Sequence, residues 1–126
     1  MKKKINFNFF SESKKWPRRF PKIKKITIKT MNYMQVYFSK NFLFNINLIF
    51  SDGHRLSKLN KKYKDKQQDT DVLTFTSIIT NKELGKIKYC DIFFSIDTIE
   101  KFVKKNDVFL YDHYNHLLIH SLLHIN

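Results

Sequence analysis

Four of the five histidines fall between positions 113 and 124: His113, His116, His120 and His124. On a helix each residue advances by roughly 100°, so all four side chains would project within a sector of about 80°. The pairs His116/His120 and His120/His124 are both i,i+4, the spacing at which two imidazoles on one helix chelate a single zinc ion. His116 and His124 lie about 12 Å apart along the axis, so no straight helix brings a third of these rings to the same ion. The plainer alternative is an amphipathic helix with Leu117, Leu118 and Leu122 in the core and the histidines on its polar edge. A zinc protease of the H-E-x-x-H type is excluded, because Ser121 stands where the glutamate base must follow the first histidine. A metal hydrolase without a protein base stays open, since zinc alone brings bound water to a pKa of about 7.

Several elements must position that helix. Residues 5–10 alternate apolar and polar side chains, as a first strand does. Pro17 and Pro21 then punctuate the chain, and Ile23, Ile26, Thr30, Tyr33 and Tyr37 keep helical spacing over residues 22–37. Residues 42–50 read as a strand with Phe42, Phe44, Ile46, Leu48 and Phe50 on one face. Ser51 or Asp52 caps a helix to about Tyr63, and residues 61–69 form a charged loop. Strands follow at 71–78 and 87–94. Ser95 or Asp97 caps a short helix to about Lys105, and Asp107 opens the last helix, still running at Asn126. The order predicts an α+β fold: a single domain over residues 1–126 with one mixed four-stranded sheet, helices packed on it, and the metal site on the C-terminal helix.

The composition supports one globular domain. The chain has 126 residues, 42% hydrophobic, with 13 Phe and 6 Tyr, which excludes a disordered, merely charged chain. Two Gly and two Pro exclude collagen-like, linker-like and Gly-loop nucleotide-binding classes. No run approaches the roughly 20 apolar residues of a membrane-spanning helix. The single cysteine, Cys90, has no disulfide partner within the chain and fits a reducing, cytoplasmic location.

Lys and Arg number 24 against 11 acids, a formal charge of +13. Lysine, asparagine, isoleucine, phenylalanine and tyrosine have A/T-rich codons, and alanine is absent, so mutational bias is a plain alternative explanation of this total. Bias does not explain the distribution. Residues 1–40 hold 12 of the cations and one acid, Glu12, whereas residues 41–126 hold 12 cations and 10 acids. A basic N-terminal third points to a polyanionic partner, nucleic acid or a membrane surface. Arg18, Arg19, Lys22, Lys24 and Lys25, close to Trp16 and Phe20, are candidates for an RNA contact with stacking aromatics. Their alternative is a charged, solvated helix face.

The stretch His116-Leu117-Leu118-Ile119-His120-Ser121-Leu122-Leu123-His124-Ile125 resembles the signature of the YbeY family of bacterial rRNA-maturation endoribonucleases, H-L-x-x-H-G-x-L-H-L-x-G-Y-D-H. Leu59-Asn60-Lys61-Lys62-Tyr63-Lys64-Asp65-Lys66, followed by Thr70-Asp71-Val72-Leu73-Thr74-Phe75, is similar to the family's L-N-x-x-Y-R-x-K-D-x-x-T-D-V-L-S-F-P segment. Asp91-Ile92-Phe93-Phe94-Ser95 is similar to its G-D-I-x-I-S strand. The three motifs occur in the family's order and cover roughly residues 42–126.

The resemblance implies a zinc ion bound through H-x3-H-x5-H, with His120 and His124 as the first two ligands and His116 a non-ligand. The third ligand would fall six residues after His124, so the expectation is a chain truncated before that histidine. Lys64 stands where the family has an arginine held to be important for RNA cleavage; it keeps the charge and loses the planar bidentate grip on phosphate. Its implied role is to stabilise charge developing on the phosphoryl oxygens. Lys61, Lys62 and Lys66 would hold flanking phosphates; a solvated helix end is their alternative. Ser121 and Cys90 replace family glycines, and Asp69 replaces a proline.

The implied function is zinc-dependent, single-strand endoribonuclease action in rRNA maturation, at the 3′ end of 16S rRNA, and in ribosome quality control. The implied partners are rRNA, the small ribosomal subunit and a ribosome-assembly GTPase. The competing expectation is a catalytically impaired RNA- or ribosome-binding remnant with an incomplete metal site.

Overall fold

In the computed structural model, residues 5–64 and 70–126 are described, Lys64 by its backbone alone. Four strands, β1 (Ile5–Ser11), β2 (Leu43–Ser51), β3 (Val72–Asn81) and β4 (Gly85–Ser95), form one mixed sheet in the order β1-β2-β4-β3. β1 pairs parallel with β2 and β2 parallel with β4, while β3 and β4 form an antiparallel hairpin. The described helices are α1 (Lys15–Arg19), α2 (Ile23–Met34), α3 (Gly53–Lys64), α4 (Ile96–Asn106) and α5 (Leu110–Ile125), with a 3-10 turn at Gln35–Tyr37. This is the α+β architecture that the order of elements predicts.

Strand periodicity divides the sheet into two faces. Ile5, Phe44, Ile46, Leu48, Phe50, Cys90, Ile92 and Phe94 point to an inner face, where they meet Met31 of α2, Ile99 of α4, and Tyr114, Leu118, Leu122 and Ile125 of α5 in one continuous core. On the outer face a smaller cluster joins Leu56 and Leu59 of α3 to Leu73 and Phe93. Beyond it the outer face is polar: Asn6 donates to Asn45, Asn8 to Asn47, and Asn47 to Asp91.

Three local departures from the sequence reading stand out. Residues around Pro17 form the short helix α1 where only punctuation is expected. Proline is tolerated in a first helical turn, whose N–H groups have no partner within the helix. Trp16 on α1 is fully buried and its Nε1 donates to the Ser51 carbonyl at 2.7 Å. The expected loop at 61–69 begins later, because α3 continues to Lys64. Asp107 does not open the last helix but ends α4. It sits in the left-handed region at φ 51°, which Asp's short polar side chain tolerates, and its N–H bonds to the Val103 carbonyl. α5 therefore starts at Leu110.

The expected caps are otherwise in place. Asp52 Oδ1 accepts from the Arg55 N–H at 2.9 Å, and Ser95 Oγ accepts from the Thr98 N–H at 3.3 Å. At the β3–β4 turn, Asn81 Oδ1 accepts from the N–H groups of Glu83 and Leu84, and Gly85 takes φ 84°, a conformation open to glycine without strain.

The histidine helix as candidate metal site

α5 is fixed along one side. Tyr114, Leu118, Ser121, Leu122 and Ile125 are buried, and the Tyr114 ring packs against Phe50, Phe94 and Trp16. Burial raises the Tyr114 phenol well above the usual tyrosine range, although its hydrogen bond to Thr27 acts in the opposite direction. Thr30 donates to the Asn115 side chain, one turn along the same α2–α5 seam. At the far end Asn126 accepts from the Ser39 N–H and donates to the Tyr37 carbonyl, both at 2.6 Å, while Lys88 donates to the Ile125 carbonyl. These contacts run in register, so α2 and α5 lie side by side and parallel.

With that side buried, helical geometry turns the histidine stripe outward, and the four rings separate into two groups. His113 is nearly enclosed, with its side chain 11% exposed. Its ring stacks on Phe102 of α4 (centroids 4.1 Å, planes 13°), and its Nε2 lies 3.3 Å from Asp71 Oδ2 at the entry to β3. It is a packing and pairing residue that joins three elements. His116, His120 and His124 are exposed. His120 and His124 stand one turn apart, about 6 Å along the axis, the spacing at which two imidazoles on one helix chelate a single ion. Among the described residues no group of three or more His, Cys, Asp or Glu side chains is placed to hold a metal. The described donors thus comprise two imidazoles of the right chemistry for zinc and fall one short of a three-ligand open site.

The basic residues are distributed over three places. Lys61 and Lys62 are exposed at the end of α3, where the Lys62 ammonium lies 5.2 Å from the Tyr63 ring centroid and Tyr63 packs edge-on against Phe75. The side chain of Lys64 and all of Lys66 lie outside the described residues. α3 packs on the outer-face cluster and α5 on the inner-face core.

Arg18 and Arg19 both lie on α1. Arg19 is paired with Glu100 of α4 at 2.6 Å, which removes it from the free basic surface, while Arg18 is exposed. Trp16 is buried in the core and offers no stacking face, which corrects its part in the expected α1 contact, while Phe20 is half-buried against Trp16 and Tyr111.

The surroundings of four further residues escape a sequence reading. Asp71 and His113 are 42 positions apart, and only the fold joins them. Asp97 accepts from Lys15 at 2.9 Å and from the Gly53 N–H at 2.8 Å. Burial raises its carboxyl pKa, but those bonds and the nearby Lys15 and Arg19 charges outweigh burial and hold it below the usual aspartate range. Cys90 faces the core, and burial pushes its thiol up to about 11, which favours the protonated form at neutral pH.

A four-stranded mixed sheet carrying an outward-facing i,i+4 histidine pair on its last helix defines an α+β domain with a partial imidazole donor set. Comparison with known proteins places that domain. The family model for endoribonuclease YbeY matches residues 8–126, and the chain belongs to the YbeY family. It is 33% identical over 112 residues to the endoribonuclease YbeY of Ehrlichia chaffeensis, covering 86% of this chain and 66% of that protein. It is 34% identical over 103 residues to that of Karelsulcia muelleri, covering 74% and 70%. With that of Bartonella quintana it shares 24% over 125 residues, covering 96% and 77%. The solution structure of TM1509 from Thermotoga maritima superposes with a TM-score of 0.54 at 17% identity, over 94% of this chain and 71% of that one, a likeness of fold. Among the described residues, no helix is long and apolar enough to cross a membrane.

Proposed function

We propose that this protein is a zinc-dependent endoribonuclease that cuts single-stranded RNA in 16S rRNA 3′-end maturation and ribosome quality control. In this proposal it works in the cytoplasm on the small ribosomal subunit, with a ribosome-assembly GTPase as a further partner. The observation that carries the proposal is the outward-facing His120/His124 pair, on a helix fixed along its opposite side, in a chain of the YbeY family.

The roles divide by chemistry. His120 and His124 supply two imidazole donors, and zinc, when bound, contributes Lewis acidity toward water or a phosphate oxygen. Lys61 and Lys62 offer ammonium groups to backbone phosphates, which positions RNA without reading its sequence. Lys64, at the end of the same helix, is assigned the charge-stabilising role of the family arginine.

The test incubates the chain with a single-stranded RNA spanning the 3′ end of precursor 16S rRNA, with and without added zinc. Expected are zinc-stimulated cleavage, its loss in His120→Ala and His124→Ala, and a large drop in rate in Lys64→Ala with zinc content unchanged. RNA that is bound but never cut, at any zinc concentration, overturns the enzyme proposal in favour of a non-catalytic RNA-binding role.

A further inference from the structure

The net charge of the N-terminal third has a specific structural form. Four ion pairs join described residues: Lys15–Asp97, Arg19–Glu100, Arg55–Glu12 and His113–Asp71. Two of them neutralise cations of α1. Among the described residues none involves Lys22, Lys25 or Lys29, which are all exposed. On the α2 helix these three and Tyr33 fall within a sector of about 80°, directed away from the buried Ile23, Thr27, Met31 and Met34. The stripe runs about 16 Å from Lys22 to Tyr33. Lys24 leaves it and lies over the Phe9 ring.

The stripe ends on aromatic surface. Tyr33 is 69% exposed and Tyr37 54%, with ring centroids 6.0 Å apart. Between α2 and α5 runs a groove of about 700 Å³ lined by Lys29, Thr30, Tyr33, Asp112, Asn115 and Ile119, so one carboxylate shares it with the lysine. The Thr27–Tyr114 and Thr30–Asn115 bonds weld its floor. Asn115 and Ile119 are the helical neighbours of His116 and His120, so the groove opens onto the histidine stripe.

We infer that the α2 stripe and the α2–α5 groove form an RNA-binding track for a single strand, with phosphates on Lys22, Lys25 and Lys29 and unpaired bases stacked on Tyr33 and Tyr37, leading to the histidine helix. Unpaired lysines match the phosphate charge, and exposed rings at the end of the stripe match unstacked bases, a combination typical of single-strand binding. A duplex offers phosphates but no free base faces. The track rests on the proposal that RNA is the substrate class; it adds the α2 stripe, which precedes all three family motifs.

The test measures binding of a fluorescent 20-nucleotide single-stranded RNA to the full chain across a salt series. Expected for Lys22→Gln/Lys25→Gln/Lys29→Gln is a salt slope shallower by about 2, at roughly 0.7 per phosphate contact. Expected for Tyr33→Ala is a loss of about tenfold in affinity. A charge-matched control on α4, Lys101→Gln/Lys104→Gln/Lys105→Gln, changes the slope much less. Equal losses in the α2 and α4 triples overturn the track in favour of undirected attraction, as does an unchanged affinity in Tyr33→Ala. RNA cut normally while the α2 triple binds unchanged overturns the track and leaves the cleavage proposal standing. RNA held through α2 but never cut supports the track and overturns cleavage. Binding of phosphatidylserine vesicles through the same lysines, with no binding of RNA, assigns the stripe to a lipid surface and overturns it.

Discussion

The two faces of the sheet hold their helices by very different means. On the inner face α2, α4 and α5 share one core that runs from Ile5 to Ile125. The α2–α5 seam is further pinned by buried hydroxyl and amide pairs. On the outer face α3 rests on four buried residues, Leu56, Leu59, Leu73 and Phe93. The helix that offers the imidazoles is therefore rigidly placed, while the helix that ends in Lys61, Lys62 and Lys64 is held by a small cluster. Metal binding and RNA contact should respond separately to mutation.

The largest effect is expected where the core is continuous. Leu118 is fully buried on α5 beneath the histidines. Leu118→Ala should cost about 3–5 kcal/mol by urea denaturation, because atoms on every side keep the cavity from collapsing. Leu56→Ala, on α3, should cost less, about 2–3 kcal/mol, since a helix held by four residues settles more easily onto the gap. A Leu56→Ala cost equal to that of Leu118→Ala breaks the comparison. The outer-face change should also weaken RNA binding through Lys61 and Lys62 while leaving zinc uptake by His120 and His124 intact.

The seam supplies a smaller contrast. Tyr114→Phe removes one partner of the Thr27 hydroxyl, which keeps its bond to the Ile23 carbonyl at 2.7 Å. The expected cost is about 1 kcal/mol. A much larger loss in thermal unfolding would show that the hydroxyl pair, rather than the surrounding rings, sets the α2–α5 distance.

The same contrast explains what could be read from the chain alone. Alternating apolar residues at Phe44, Ile46, Leu48 and Phe50 specify a strand and its buried face, because one face lies against a thick core. The His120/His124 spacing specifies a donor pair, because helix geometry is local. Trp16 was legible as an aromatic but not as a buried one, since its partner is the Ser51 carbonyl, 35 positions away. His113 looked like its three neighbours on the stripe, and its separation from them is set by Phe102 and Asp71. Asp107 has the character of a cap at either end of a helix; the left-handed backbone that chose the C-terminal role is visible only in the fold. Periodicity records which side of an element is covered, not which distant atom covers it.

Asp97 sits where the two faces join, and its effect should be the smallest and the most dependent on pH. It accepts from the Gly53 N–H at the start of α3 and from Lys15 of α1 while belonging to α4. Its pKa is lowered in the folded protein, so as acid is added the unfolded chain takes up this proton first. The stabilisation is thus present at neutral pH and is lost as pH falls below the usual aspartate range toward the folded value. Asp97→Asn should lower thermal stability slightly at pH 7, and the gap to the parent protein should close on acidification. The side chain is 44% exposed, so solvent screening keeps the effect small. A gap that stays constant across that range would mean that the Gly53 bond acts through shape alone, and that no charge links the outer helix to the inner core.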